Sequence, residues 1–298
     1  MTPPVTTTAG TIPASGAIPL RPVSFTFDPA EVPRDWYEGD PFSTAILDAL
    51  SLLFPEGERF FVDSVKQLRA RVDAAELQDR ITGFIGQEAM HGRAHRALNE
   101  LLHLQSYDAT PELEADLRQL LVWSRRMLSP HAQLAVTCAL EHFTAILSEM
   151  LLREEGARAA MHPAVRPLWL WHAFEETEHK AVAFDVYRAT GGSELLRIVM
   201  MLATTAIFFA QVDRVLLRFL AARGLLRRPW RWGHGLSRQW IRPGYFRMLI
   251  PAYLSYYRPG FHPDDRDTRA LLGRWREQLF GEDGELRSRL RTAAPEAA

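Results

Sequence analysis

The sequence predicts an all-α protein with a helical bundle followed by further C-terminal helices, and three observations carry that reading. Apolar residues recur with a period near 3.6 along most of the 298 residues, whereas almost no segment alternates with period two. Proline and glycine fall mainly between the periodic runs, where they open and close helices. With 47% of residues hydrophobic and 24% charged, the chain has an ordinary globular balance and is long enough for one large domain or two small ones.

Residues 1–22, rich in Thr, Pro, Ala and Gly, lack the basic start and apolar core of a signal peptide and are expected to be a disordered leader. A first helix is expected from 41 to about 54. Pro55 should then restart a second run to about 72, because proline lacks the N–H that an interior helical turn needs. A long helix follows over about 74–104, ending before Ser106-Tyr107-Asp108. Thr110 reads as a cap with Pro111 at the first helical position, opening a helix to about 127. Ser129-Pro130 opens the next in the same way, to Glu155, with Gly156 as its stop. Pro163 or Pro167 begins another, which closes at Gly191-Gly192. Residues 23–192 therefore form the expected bundle, 193–285 a helical extension packed on it, and 286–298 a flexible tail. Within the extension, 195–220 is very apolar and 198–210 carries no charge. That stretch is shorter than the ~20 residues a bilayer span needs. A buried or dimer-forming helix is the first expectation. Peripheral or re-entrant membrane contact through 195–247 is the second, since Trp230, Trp232 and Trp240 stand there among arginines, and a true span is the last.

A formal net charge of −1 leaves no electrostatic footprint for nucleic acid. Cys138 is the only cysteine, so neither an intrachain disulfide nor a thiolate metal cluster can form, and a reducing cytoplasm fits, with membrane association as the alternative location.

The chemistry is concentrated in four helical stripes. Leu77, Ile81, Phe84, Glu88, His91, His95, Leu98 and Leu102 are spaced by three or four, so they share one helix face. Its ends are apolar and its middle is Glu88-x-x-His91, then His95. Trp169, His172, Glu176, His179, Ala183 and Val186 form a second such face around Glu176-x-x-His179. Glu141 centres a third, and Glu58, with Glu56 close by, lies on a fourth. A carboxylate in a buried stripe costs several kcal/mol unless it is paired or bound to a metal. The order Glu, Glu-x-x-His, Glu, Glu-x-x-His is the ligand pattern of di-iron and di-manganese carboxylate bundles. Glu58, Glu88, His91, Glu141, Glu176 and His179 are thus the expected ligands of two transition-metal ions. Iron is the first choice, manganese or a mixed Mn/Fe pair the next, and zinc less fitting. His95 and His172, one turn out on the same stripes, are candidates for a further nitrogen ligand or for holding a ligand in place, and equally for core histidines bonded to a backbone carbonyl. His142 points about 100° from Glu141 and reads as structural.

The segments Phe84-Ile-Gly-Gln-Glu88-Ala-Met-His91-Gly-Arg-Ala-His95, Ala139-Leu-Glu141-His142-Phe-Thr-Ala and Trp171-His172-x-x-Glu-Glu176-x-Glu-His179-Lys-Ala-Val-Ala-Phe-Asp185 resemble a bacterial family whose members are usually labelled predicted metal-dependent hydrolases. The resemblance runs from about residue 22 to about 280, and it implies a ferritin-like bundle with a metal site. For the reaction, the first expectation is an O2-dependent oxidase or oxygenase. It would act on a small organic substrate with an external electron donor, Phe61, Phe84 and Phe143 shaping an apolar pocket. Hydrolysis by a two-metal-activated water is the alternative. Iron oxidation or storage ranks third, because about a hundred residues follow Gly192.

Overall fold

In the computed structural model, which describes residues 16–105 and 109–290, helices dominate; among these residues there is no strand beyond two isolated bridges, Val23–Leu290 and Tyr37–Met161. The helices are α1 (Pro41–Arg69), α2 (Ala75–Leu104), α3 (Thr110–Met127), α4 (Pro130–Arg153), α5 (Glu155–Ala159), α6 (Arg166–His179), α7 (Val182–Ala189), α8 (Glu194–Ala222), α9 (Gly233–Trp240), α10 (Tyr245–Ser255) and α11 (Arg269–Phe280). The all-α expectation is met.

Several boundaries differ from the sequence reading, each for a local reason. Helix α1 does not stop at Pro55 but runs through it. The carbonyl that Pro55 cannot bond, that of Ser51 one turn earlier, accepts instead from Asn99 Nδ2 of α2 at 3.2 Å. The interruption is thus repaired from the neighbouring helix, and burial of residues on both sides of Pro55 holds α1 together. Thr110 lies inside α3, and Ala109 takes the N-cap position. Ser129 does cap α4, accepting from the Ala132 N–H at 3.2 Å, but α4 ends at Arg153 and Gly156 falls within α5. The single helix expected from Pro163 or Pro167 to Gly191 is two, α6 and α7, broken at Lys180–Ala181. Lys180 turns away from the bundle there, its Nζ donating to the Arg266 carbonyl at 2.6 Å and to Thr268 Oγ1 at 3.2 Å. Ser106, Tyr107 and Asp108 lie outside the described residues.

The two chain ends are also more engaged than expected where they are described. Residues 16–22 lie along α2. A Cβ on Gly83 would stand 2.4 Å from the Ile18 carbonyl oxygen, and one on Gly86 2.4 Å from Leu20 Cδ2. Arg21 donates to both oxygens of Glu178 at 2.7 and 2.8 Å and to Glu175 at 3.3 Å. Of the expected tail, Leu286 is buried and Leu290 bridges to Val23, while residues 291–298, like 1–15, lie outside the described residues.

Helices α1, α2, α4 and α6 surround the buried polar cluster described below. α1 packs along α2, α4 along α6, and α1 also meets α4. Helix α8 lies on α4 and α1, pinned at its start by Arg197. That fully buried guanidinium donates to the Tyr256 and Arg258 carbonyls and to Glu194, and lies over the Tyr256 ring. Among the described residues two helices, α4 and α8, are long and apolar enough to cross a bilayer. In the most apolar 18-residue window α4 is 78% buried and α8 only 22%. Helix α4 is therefore a core helix. The burial expected for 195–220 is confined within this chain to one side of α8; Leu195, Val199, Leu202 and Ile207 face outward.

The close approach of residues 16–22 to α2 generates a test. Gly83→Ala should cost on the order of 1–3 kcal/mol through overpacking, and thermal unfolding should show a lowered Tm with faster proteolysis before Val23. Gly273→Ala, on an open face of α11 with nothing within 4 Å of the added Cβ, should be neutral or stabilising by up to about 1 kcal/mol.

Candidate metal centre

Seven side chains from four helices meet in the middle of the bundle: Glu58 of α1, Glu88 and His91 of α2, Glu141 of α4, and His172, Glu176 and His179 of α6, each no more than 3% exposed. The spacing of three or four residues on α2 and α6 aims each helix's contribution at the same point. Their ligand-type atoms fall into two groups, Glu58–His91–His172 and Glu88–Glu141–Glu176–His179. Within each group all lie within 4.8 Å of one another. Glu176 stands between the groups, its Oε1 being 3.3 Å from His91 Nδ1, 3.2 Å from His172 Nε2 and 3.3 Å from His179 Nε2. All six residues singled out on the helical stripes come together. His172 joins them, His95 sits one contact further out, and Glu56 turns away to pair with Arg118 at 3.0 Å.

The atoms fit a metal pair better than they fit one another. Both oxygens of Glu58, Glu88 and Glu141, Oε2 of Glu176, Nδ1 of His91 and Nε2 of His179 are buried without a hydrogen-bond partner. His179 Nε2 does approach Glu88 Oε1 to 3.0 Å, but without the alignment a hydrogen bond requires. So many unsatisfied polar atoms in one place would be heavily destabilising without a compensating charge. Four carboxylates balance two divalent cations, and oxygen-rich donors with imidazoles suit iron or manganese.

Each histidine is also held so that one nitrogen is free to face the cluster. His91 Nε2 lies 3.0 Å from Glu175 Oε2, leaving Nδ1 inward. His179 Nδ1 donates to Gln87 Oε1 at 2.9 Å, leaving Nε2 inward. Gln87 is oriented by its own Nε2, which donates to the Pro19 carbonyl and to Glu178, both at 3.1 Å. His172 is set by a longer chain. Ser51 Oγ has one proton and donates it to Asn99 Oδ1 at 2.8 Å, so at 2.9 Å it must accept from His95 Nδ1. Neutral His95 then has a bare Nε2, which accepts from His172 Nδ1 at 2.6 Å. A neutral His172 is left with a bare Nε2 only 3.2 Å from Glu176 Oε1. Two lone pairs at that distance repel, a conflict that a cation held by His172 and Glu176 would remove. Anchoring the outer nitrogen of a ligating imidazole in this way is the usual support of metal sites.

Electrostatics follow from burial and crowding. Burial, then the neighbouring carboxylates, push Glu58, Glu88 and Glu141 above the usual carboxylate range. Burial acts the same way on Glu176, but the charge of His179 beside it and the close approach of the His172 and His91 imidazoles hold it well below. Burial disfavours charge on His91, yet Glu175 and Glu176 together raise it to about 10; His179 is likewise raised by Glu176 and Glu88. Burial and then nearby imidazoles lower His95 and His172, the latter to about 4, which agrees with the neutral tautomers above.

Arg21, Ser51, Gln87, Asn99 and Glu175 were not singled out from the sequence. Gln87 and Glu175 each adjoin a ligand-type glutamate, the one signal that could have marked them. His142, read as structural, is: its Nε2 lies 3.0 Å from the Ala252 carbonyl. The aromatic residues expected to shape a pocket are placed differently. Phe84 packs edge-on against His179, but Phe143 stacks between Phe208 and Tyr253. None of Phe61, Phe84 and Phe143 lines the cavity that reaches His172, which is bounded instead by Leu50, Phe54, Leu147, Leu151 and Trp169.

Two outcomes test this geometry. After reconstitution with Fe(II), elemental analysis should find about two metals per chain in the unaltered protein and close to one in His172→Ala; Asn99→Ala should retain both but bind them roughly 10–100-fold more weakly. Groups with raised pKa values hold protons that a metal must displace, so affinity should rise with pH and weaken as pH falls. Calorimetry in two buffers of different ionisation enthalpy should detect net proton release near pH 7.

The comparisons with known proteins agree with this centre at the level of the family. Neither the search of curated proteins nor that of solved structures returns a match. The model of the family described as "Predicted metal-dependent hydrolase" matches residues 19–267, from the segment that braces α2 to the loop that receives Lys180. The chain belongs to this predicted metal-dependent hydrolase family.

Proposed function

We propose that this chain is a two-metal enzyme of ferritin-like architecture whose centre acts on a small apolar organic substrate. The observation that carries the reading is the set of seven buried donors, most with unpartnered atoms, in two groups, with Glu176 of the second also within 3.3 Å of His91 and 3.2 Å of His172 of the first. Glu58, His91 and His172 would hold one ion, and Glu88, Glu141 and His179 the other, with Glu176 between them. A bound pair would supply Lewis acidity and an activated water, or, as iron, electrons for the reduction of O2.

The chain's own residues then do three things. The Ser51–His95, Gln87 and Glu175 anchors hold the three imidazoles in their ligating orientations. Phe54 and Trp169 pack around the His95–His172 pair and keep that side dry. The cavity at His172 selects the substrate: its lining holds no Lys, Arg, Asp or Glu, and Thr144 and Ser148 are among its few hydrogen-bonding groups. A phosphate would meet no cationic side chain there, whereas an apolar ester or hydrocarbon-like molecule fits.

Of the two reactions, hydrolysis is the one that family membership supports, and we place it first. O2-dependent oxidation with an external electron donor is retained because of the centre itself, which is oxygen-rich, carries three imidazoles and is shielded from water. One comparison separates them. Hydrolysis predicts that a medium-chain ester is turned over by Mn(II)- or Zn(II)-loaded protein under argon as well as in air. If no metal form cleaves esters while air changes the absorption of the reduced iron form, the hydrolytic reading fails and the oxidative one stands. Glu176→Ala should lower either activity on the order of 10²–10³-fold, the magnitude typical for loss of one essential electrostatic group.

A further inference from the structure

The charge of this chain is very unevenly placed. Residues 214–263 contain ten arginines and no acidic residue, in a protein whose formal net charge is −1. Five of the ten have partners outside the segment: Arg214 with Asp116, Arg218 with Glu112, Arg223 with Asp35, Arg238 with Glu38 and Arg258 with Asp265. The other five, Arg227, Arg228, Arg231, Arg242 and Arg247, are exposed and form no ion pair among the described residues. They alternate with exposed apolar side chains, Trp230 at 74%, Trp240 at 43% and Ile241 at 59%.

An apolar face adjoins them. On α8, Leu195, Val199, Leu202, Ala206 and Ile207 are all exposed, on the side away from α4, and no charge interrupts 198–210. On α10, Met248, Ile250 and Leu254 are exposed, next to Arg247. The two helices lie on the same side of α4: Phe143 of α4 stacks on Phe208 of α8 at 5.1 Å and on Tyr253 of α10 at 5.7 Å. Thr205 Oγ1 and Tyr253 Oη meet at 3.0 Å. Helix α8 cannot span a bilayer while its other side is packed on α4 and α1, but it can lie in the surface of one.

We propose that α8, α9, α10 and the arginine-rich segment joining them are a docking surface for an anionic lipid bilayer. The outer faces of α8 and α10 enter the boundary of the acyl chains, Trp230 and Trp240 sit at the interface, and the five unpaired arginines meet the headgroups. Charge selects this occupant over a second copy of the chain, since apposing two such segments would set arginine against arginine with no acid inside either to neutralise it. The placement also bears on the cavity at His172, because Gln239, Tyr245 and Phe246 of α9 and α10 are part of its wall.

The test uses the full-length chain and sedimentation with two vesicle preparations, phosphatidylcholine alone and an equal mixture with phosphatidylglycerol. Binding should be at least tenfold stronger on the anionic vesicles and weaken with added salt. The double change Arg227→Glu with Arg231→Glu should reduce it on the order of tenfold or more, each arginine near such a surface contributing roughly fivefold. Leu202→Asp with Ile207→Asp should do the same, with circular dichroism reporting whether the variant is folded. If it is not, the arginine pair, exposed and unpaired, decides alone. Equal or absent binding to the two vesicle types overturns the proposal. So does a dimer in sedimentation equilibrium that Leu202→Asp dissociates, because a second copy would then cover the face.

Discussion

Four carboxylates shut inside one helical bundle set the terms for the rest of this structure. Burial raises Glu58, Glu88 and Glu141 above their ordinary range, and each leaves both oxygens without a hydrogen-bond partner. Such a cluster is tolerable only if cations or protons neutralise it. The family's metal dependence and the arrangement of the imidazoles point to cations. Donors from α1, α2, α4 and α6 converge there only because the helices approach closely. Gly92 shows how tight this is, since a Cβ there would come within 3.0 Å of Glu58 Oε2 and 3.6 Å of the Pro55 backbone.

Pro55 connects the fold to the centre in a second way. Its missing N–H leaves the Ser51 carbonyl free, and Asn99 takes that carbonyl with Nδ2 while taking the Ser51 hydroxyl proton with Oδ1. The amide is therefore oriented by a helix irregularity, and through Ser51 and His95 it dictates which nitrogen of His172 faces Glu176. A break in a hydrogen-bond ladder and the tautomer of an imidazole a helix away are parts of one network. On the opposite side, Arg21 and Gln87 brace Glu175 and His179 through residues 19–21, so a segment that reads as a leader serves as a buttress.

The C-terminal helices give the bundle two unlike exteriors. Towards α6, α11 closes the structure with apolar contacts such as Phe174 on Phe280 and with the Trp275 indole on the Leu152 carbonyl. Towards α4, α8 and α10 leave their outer sides uncovered. Buried Arg197 fixes the base of α8 without neutralising the arginine-rich segment beyond its C-terminus. The cavity beside His172 is walled largely by α1, α4 and α6, with Gln239 of α9 and Tyr245 and Phe246 of α10 forming another part of its wall.

What the sequence determined by itself was whatever repeats along a helix. Spacing of three and four placed Glu88 with His91, Glu176 with His179, and Glu58 and Glu141 on inward stripes, because the helical period alone decides which side chains share a face. It also marked 195–220 as apolar, though not which side of that helix would stay uncovered. What only the tertiary structure decided were the relations between helices. It made His172 a partner of Glu58 and His91, drew Glu175 and Gln87 in as anchors, carried α1 through Pro55, and moved the cavity wall from Phe61 and Phe143 to Phe54 and Trp169. None of these has a period in the sequence. They depend on how closely, and at what register, one helix lies against the next.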